Sequence, residues 1–186
     1  MNKNWLLALG GNLDSAHGAP DVTLRDSFVK LNMTPLRLVS VSRFFRTPCF
    51  PAGAGPDYVN AAAVVRSALP ADEVLDILHK IEADFGRART QRWGMRTLDI
   101  DLLGCDDLVL PDEATQSQWR GLQPEEQVRV TPDQLILPHP RMQDRAFVLV
   151  PLCDIAAGWR HPILGQTVAQ MCENLPDSDR NAVVPL

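Results

Sequence analysis

The spacing of apolar residues changes period several times along the chain. Asn4–Gly11 (NWLLALGG) is an apolar run closed by two glycines, which predicts a strand and then a turn. From Pro20 onward Val22, Leu24, Phe28 and Leu31 recur near helical spacing, with Pro20 and Asp21 as start signals. Residues 36–47 (LRLVSVSRFFRT) alternate through Leu36, Leu38, Val39 and Val41, as a half-buried strand does. PCFPAGAGPD is rich in proline and glycine and reads as a loop, and YVNAAAVVR from Tyr58 as another strand. Residues 70–86 give the clearest helix. Val74, Leu78, Ile81 and Phe85 form one stripe, Asp72 and Glu73 suit the positive end of the helix dipole, and Gly86 is placed to stop it. A basic loop (RARTQRWGMR) and a strand (TLDIDLLG) follow. Residues from about 106 to 133 are polar and irregular and predict a surface excursion. Residues 135–156 return to the core as a loop and then a helix, and TVAQMCENL predicts a last short helix. Strands and helices alternate irregularly with short connections. That pattern predicts an α+β sandwich, with residues 1–186 as a single domain.

Composition narrows the class. The chain is 45% apolar and 22% charged, a soluble globular balance, and 186 residues can bury one sizeable core. The net charge of −5 argues against a general nucleic-acid binder, which carries a basic footprint. No apolar run approaches the roughly 20 residues that span a bilayer, and WLLALGG is too short for a signal peptide. Cys49, Cys105, Cys153 and Cys172 show no C-x-x-C spacing, so they read as reduced thiols of a cytoplasmic protein rather than a zinc or redox site.

The candidate chemistry lies in RWGMRTLDIDLLG, residues 92–104. Asp99 and Asp101 are two apart on a predicted strand, so both point to one face while Leu98, Ile100 and Leu102 turn to the other. Adjacent carboxylates repel unless a cation lies between them. Magnesium suits such a pair, since it takes one or two carboxylates together with substrate phosphates. The competing reading is a solvated acidic edge. Arg87, Arg89, Arg92 and Arg96 come just before the acids, and guanidinium forks match phosphate oxygens. A solvated basic loop paired with the acids is the alternative, and Trp93 within it reads either as a lid or as a packing anchor. Tyr58 and Asn60 share a strand face, an aromatic surface and an amide suited to a flat heterocycle. His139 stands between two prolines ahead of Arg141, Arg145 and Phe147, fixed for a phosphate or base contact or for plain structural bonding. The GGN at residues 10–12 is a weak glycine signal. No P-loop and no protein-kinase motif set is present.

LALGGNL, SRFFRTPCF…PDYVNAAAVV, IEADFGRARTQRWGMRTLDIDLL and LPHPRMQDRAFVLVPL occur in this order. Together they resemble the 6-hydroxymethyl-7,8-dihydropterin pyrophosphokinase family of folate biosynthesis. The resemblance implies a ferredoxin-like α+β sandwich, a central antiparallel sheet with helices packed on it. It implies pyrophosphoryl transfer from ATP to the pterin hydroxymethyl group with release of AMP, by a cytoplasmic monomer that has no nucleic-acid or membrane partner. It implies that Asp99 and Asp101 hold two Mg2+ ions and that Arg87 and Arg96 assist the transfer. By the same resemblance Thr47, Pro48, Phe50, Tyr58, Asn60 and Phe147 contact the pterin. Glu82, Arg87, Arg89, Arg92, Trp93, Arg96, Ile100, His139 and Arg145 lie on the ATP side.

The chain departs from the family pattern in places. Gly11 stands where serine is usual, which implies a looser turn. Met95 follows Arg92–Gly94 where proline is usual, and Pro140 follows His139 where some members carry an aromatic. The stretch between Arg89 and Arg92 is one residue shorter than in some relatives, and residues 106–133 are longer than the family leads one to expect. The rival from another class is a non-catalytic ligand- or nucleotide-binding module on the same scaffold. An RNA-binding version would need surface aromatics and a basic sheet face, against 6% aromatic residues and an acidic chain.

Overall fold

The computed structural model describes residues 1–49, 55–86, 96–123, 126 and 129–186. Its elements begin with β1 (Lys3–Gly11), α1 (Pro20–Asn32), β2 (Arg37–Val41), β3 (Phe45–Thr47), β4 (Tyr58–Ser67), α2 (Ala71–Asp84) and β5 (Asp99–Cys105). They continue with α3 (Glu113–Arg120), a 3-10 turn (Met142–Asp144), α4 (Ala146–Ala156), α5 (Val168–Glu173), α6 (Asp177–Asn181) and β6 (Val184–Pro185). The sheet order is β5-β1-β4-β3-β6, with β2 also against β4, and the pairings are antiparallel. β2 and β3 occupy successive stretches of one line beside β4. The connectivity is therefore β-α-β-β-α-β, the ferredoxin-like arrangement.

Alternation along the strands sorts side chains to two faces. Trp5, Leu7 and Leu9 of β1, with Ala61, Ala63 and Val65 of β4, meet Leu24, Phe28 and Leu31 of α1 and Val74, Leu78 and Ile81 of α2. On the other face Leu6, Ala8, Ala62 and Val64 meet Val148, Leu149 and Leu152 of α4 and Val168 and Met171 of α5. Each fully buried aliphatic side chain contributes about 1.5–3 kcal/mol. Gly86, at φ +81°, ends the α2 segment in a conformation that favours glycine.

Three expectations change. The strand expected over residues 36–47 is broken at Ser42. Its N–H donates to Ala62 O at 2.9 Å, its hydroxyl donates to Arg43 O at 2.7 Å, and its Oγ accepts the Ala62 N–H at 2.8 Å. Beyond it Arg43 leaves the sheet for Asp154, with guanidinium contacts of 2.9 and 2.8 Å. The stretch 106–133 is not wholly an irregular surface excursion. It contains α3, capped by Asp112, whose carboxylate accepts the Thr115 N–H at 2.8 Å, and Gln116 is fully buried. The chain also closes with α6 and β6 against β3, elements too short to leave a period in the sequence. No helix among the described residues is long and apolar enough to cross a membrane.

Candidate active site

The site residues gather where the α4-covered face of the sheet runs out. Register puts Asp99, Gly10, Asn60 and Phe45 in one row across four neighbouring strands, and Asp101, Ala8 and Ala62 in the next. α4 lies over the second row, through Ala8 and Ala62. The first row is one step beyond it, at the end where α4 begins with Arg145 as its N-cap. Asp99 and Asp101 are each partly accessible, while Ile100 between them is buried.

Both acids have cationic neighbours. The Arg96 guanidinium is bonded to the Asp99 carboxylate, and Arg145 stands 3.8 Å from Asp101. Two oxygen donors on one face, partly open and flanked by arginines, fit a hard divalent cation that shares its ligands with phosphate oxygens. Among the described residues no group of three or more His, Cys, Asp or Glu is placed to hold a metal.

The amide end is built on β4 and β3. Asn60 is buried, and its Nδ2 donates to Thr47 Oγ at 2.7 Å, which fixes the orientation of the amide. Tyr58 pairs with Thr47 in register and lies on the same face as Asn60. Burial raises the Tyr58 hydroxyl pKa, with Cys49 adding to the shift, so the phenol stays neutral. Pro48 is exposed just beyond Thr47. Gly10 lies between Asn60 and Asp99, and a Cβ there would come within 2.5 Å of Asn60 Oδ1.

His139 is brought alongside β5 by its N–H, which donates to Leu103 O at 2.7 Å. Its Nδ1 accepts the Arg141 N–H at 3.2 Å, which leaves the ring proton on Nε2 as a donor. Desolvation, Arg145 and Arg141 lower its pKa to about 3, against an opposing pull from Asp99. It is a neutral hydrogen-bonding group, not a cation. Phe147, 39% exposed on the first turn of α4, carries the Arg145 guanidinium over its ring at 5.5 Å.

Two residues that the resemblance puts on the nucleotide side have buried side chains. Ile100 is packed into the core against α2, because a residue between two outward acids must point the other way. Glu82 is only 1% exposed, and its carboxylate accepts the Ile100 N–H at 2.7 Å. Its visible work is to satisfy the outer edge of the strand that carries the acids. Phe50, Arg87, Arg89, Arg92 and Trp93 lie outside the described residues.

Sequence reasoning passed over two residues. Asn12, 2% exposed, accepts the Arg96 N–H on Oδ1 at 2.9 Å and donates from Nδ2 to Pro56 O at 3.1 Å. Gln116 of α3 donates to Pro138 O at 3.1 Å and so steadies the residue before His139. The only signals were an asparagine after two glycines and the D-x-x-T cap of α3. Gly11 is also more than a loose turn. Its Cβ would lie 2.4 Å from Thr97 O, so here the backbones touch where a serine would stand.

Fold and site together define a ferredoxin-like α+β protein whose sheet end sets paired carboxylates, each beside an arginine, near a buried amide and an aromatic ring. The sequence profile of the family described as 7,8-dihydro-6-hydroxymethylpterin-pyrophosphokinase (HPPK) matches residues 6–157, and the chain belongs to that family. It is 35% identical over 182 residues to the 2-amino-4-hydroxy-6-hydroxymethyldihydropteridine pyrophosphokinase of Synechocystis sp., covering 97% of this chain and 79% of the relative. The enzyme of the same name from Pseudomonas aeruginosa is 36% identical over 164 residues, covering 87% of this chain and 86% of its own length. Among solved structures, wild-type Plasmodium falciparum HPPK-DHPS superposes with a TM-score of 0.63 at 14% identity, which speaks to the fold. That match covers 93% of this chain, which spans only 44% of the larger protein.

Proposed function

We propose that this chain transfers the pyrophosphoryl group of ATP to the hydroxymethyl oxygen of 6-hydroxymethyl-7,8-dihydropterin, releasing AMP, in folate biosynthesis. The observation that supports this reading is the row Asp99–Gly10–Asn60, which puts a carboxylate and a buried amide on one sheet face within a chain of this family. The hydroxyl oxygen bonds to the β-phosphorus, the bond from that phosphorus to the α-phosphate oxygen breaks, AMP departs, and the hydroxyl proton is released.

Little covalent work falls to the protein, so positioning and charge dominate. Asn60, oriented by Thr47, reads the edge of the pterin, and Tyr58 and Phe147 offer their rings to its faces, with Pro48 and Phe50 beside them. Arg96 and Arg87 stabilise charge on the transferred group and the leaving AMP. Arg89, Arg92, Trp93, Arg145 and the neutral His139 donor line the nucleotide side. Asp99 and Asp101 would hold two magnesium ions, which neutralise phosphate oxygens when bound. Glu82 and Ile100 act through the backbone of β5. Residues 1–186 serve as one pyrophosphokinase domain of a cytoplasmic, monomeric protein. The family resemblance and the acidic composition support that part of the reading.

The test is to identify the nucleotide product with pterin, ATP and magnesium. AMP is expected only when all three are present. Asp99→Asn with Asp101→Asn should lower the rate at least about a thousandfold. ADP as the product, or pterin bound without turnover, overturns the reading.

A further inference from the structure

We infer that Asn12 is a positioning residue that holds the Arg96 backbone and the Pro56 carbonyl in one frame, and so sets the transferring arginine against the heterocycle end of the site. The inference rests on the proposed pyrophosphoryl transfer and adds a residue to it.

Asn12 follows β1 directly and uses both ends of its amide across long sequence separations, 84 residues to Arg96 and 44 to Pro56. The grip on Arg96 is reciprocal. Its N–H is held by Asn12 Oδ1, and its carbonyl accepts the Asn12 N–H at 2.9 Å and the Leu13 N–H at 3.1 Å. The Arg96 backbone is thus fixed on both sides, while its guanidinium is fixed on Asp99. Gly11 allows the approach, because any Cβ there would meet Thr97 O at 2.4 Å.

The chemistry selects asparagine. One short side chain must accept from Arg96 and donate to Pro56. Aspartate supplies only acceptors when ionised, serine is too short to span both, and alanine supplies neither. Nearly all of the residue is buried, so water does not replace a lost bond freely. A shift of about 1 Å in a positioning group costs on the order of a hundredfold in rate.

The experiment is a double-mutant cycle on kcat for AMP formation with Asn12→Ala and Arg96→Ala, alongside KM for pterin. Asn12→Ala should lower kcat about 30–100-fold in the wild-type background and less than about threefold once Arg96 is alanine, because the first residue acts through the second. Asn12→Asp keeps the acceptor for Arg96 and sets an acceptor against Pro56 O. It should keep kcat within about fivefold while raising pterin KM about tenfold, the split that separates the two halves of the amide. Hydrogen exchange at the Arg96 amide should be fast in Asn12→Ala and slow in Asn12→Asp. If Asn12→Ala does not fold, Asn12→Asp still carries the KM-against-kcat test. An active wild type with equal losses in both Arg96 backgrounds, or Asn12→Asp losing kcat and pterin KM together, overturns the inference. A wild type that forms no AMP overturns the proposed function instead.

Discussion

Replacing Gly10 with alanine adds one methyl group at the centre of the site row. Its carbon would lie 2.5 Å from Asn60 Oδ1, inside any real contact distance. Asn60 is buried and tied to Thr47 by a 2.7 Å bond, so it has no free direction in which to yield. Turning its amide breaks that bond, and keeping the bond pushes β3 and β4 away from β1. Overpacking of this kind costs about 1–3 kcal/mol, and leaving a buried amide unpaired costs about the same. The lower entropy of the unfolded alanine chain returns about 0.4–1 kcal/mol. A net loss of about 2 kcal/mol should lower the melting temperature by roughly 4–8 °C in a domain of this size. The larger effect should be on pterin. An amide turned from its reading position forfeits one or two hydrogen bonds, which corresponds to roughly a 10–30-fold weaker Kd by calorimetry. ATP affinity should change less than about threefold, since Arg96, His139 and Arg145 are untouched. Adding Asn60→Ala to Gly10→Ala removes the clash, so the melting temperature should rise relative to Gly10→Ala while pterin binding stays weak. Unchanged pterin affinity in Gly10→Ala, or simple additivity in the double variant, would refute the reasoning.

Two further outcomes follow from the same geometry. Gly11→Ser should lower the melting temperature by roughly 4–12 °C in thermal denaturation, because its Cβ must clear a backbone oxygen now 2.4 Å away and so stretches the bonds around Arg96; a variant as stable as the parent contradicts the close approach. Stability should also fall as pH drops from about 6.5 towards 3. The unfolded chain protonates His139 near 6.5 while the folded chain resists until about 3, so the contribution is complete above 6.5 and lost on acidification. Urea midpoints should show His139→Gln flattening that slope by about 1–2 kcal/mol at pH 5, and parallel slopes would count against a neutral His139 imidazole. His161, lowered to about 4 by burial and Arg120, should leave a residual slope of the same sign.

Local patterns were readable and distant ties were not. The stripe Val74–Leu78–Ile81–Phe85 and the run Trp5–Leu9 announce α2 and β1, because each period repeats several times within a few residues. The acid pair was legible for the same reason: alternation alone puts Asp99 and Asp101 on one face. Alternation also turned Ile100 to the opposite, core face, and only the family resemblance put it on the ATP side. α3 was signalled only by the Asp112–Thr115 cap, a single contact without an apolar stripe, and the break at Ser42 depends on Ala62 in another strand. Glu82 reads in sequence as one more polar position on an amphipathic helix. Only the packing of α2 beside the edge of β5 shows that its carboxylate faces a backbone amide. Asn12 shows the limit plainly, since its partners are 44 and 84 residues away and nothing nearby in the chain marks them.

The position of Gly10 between Asn60 and Asp99 makes the sheet a measuring device. Neighbouring strands lie about 4.8 Å apart, so two strand spacings, about 10 Å, separate the backbone beneath the amide from that beneath the acid. That length is set by main-chain hydrogen bonds between the strands. If the proposed reaction runs along this row, an acceptor with a longer arm between ring and hydroxyl overshoots the phosphorus and one with a shorter arm falls short, even when its ring fits. Linked molecules that occupy both ends at once face the same fixed gauge, and their linkers must match the span from β4 to β5.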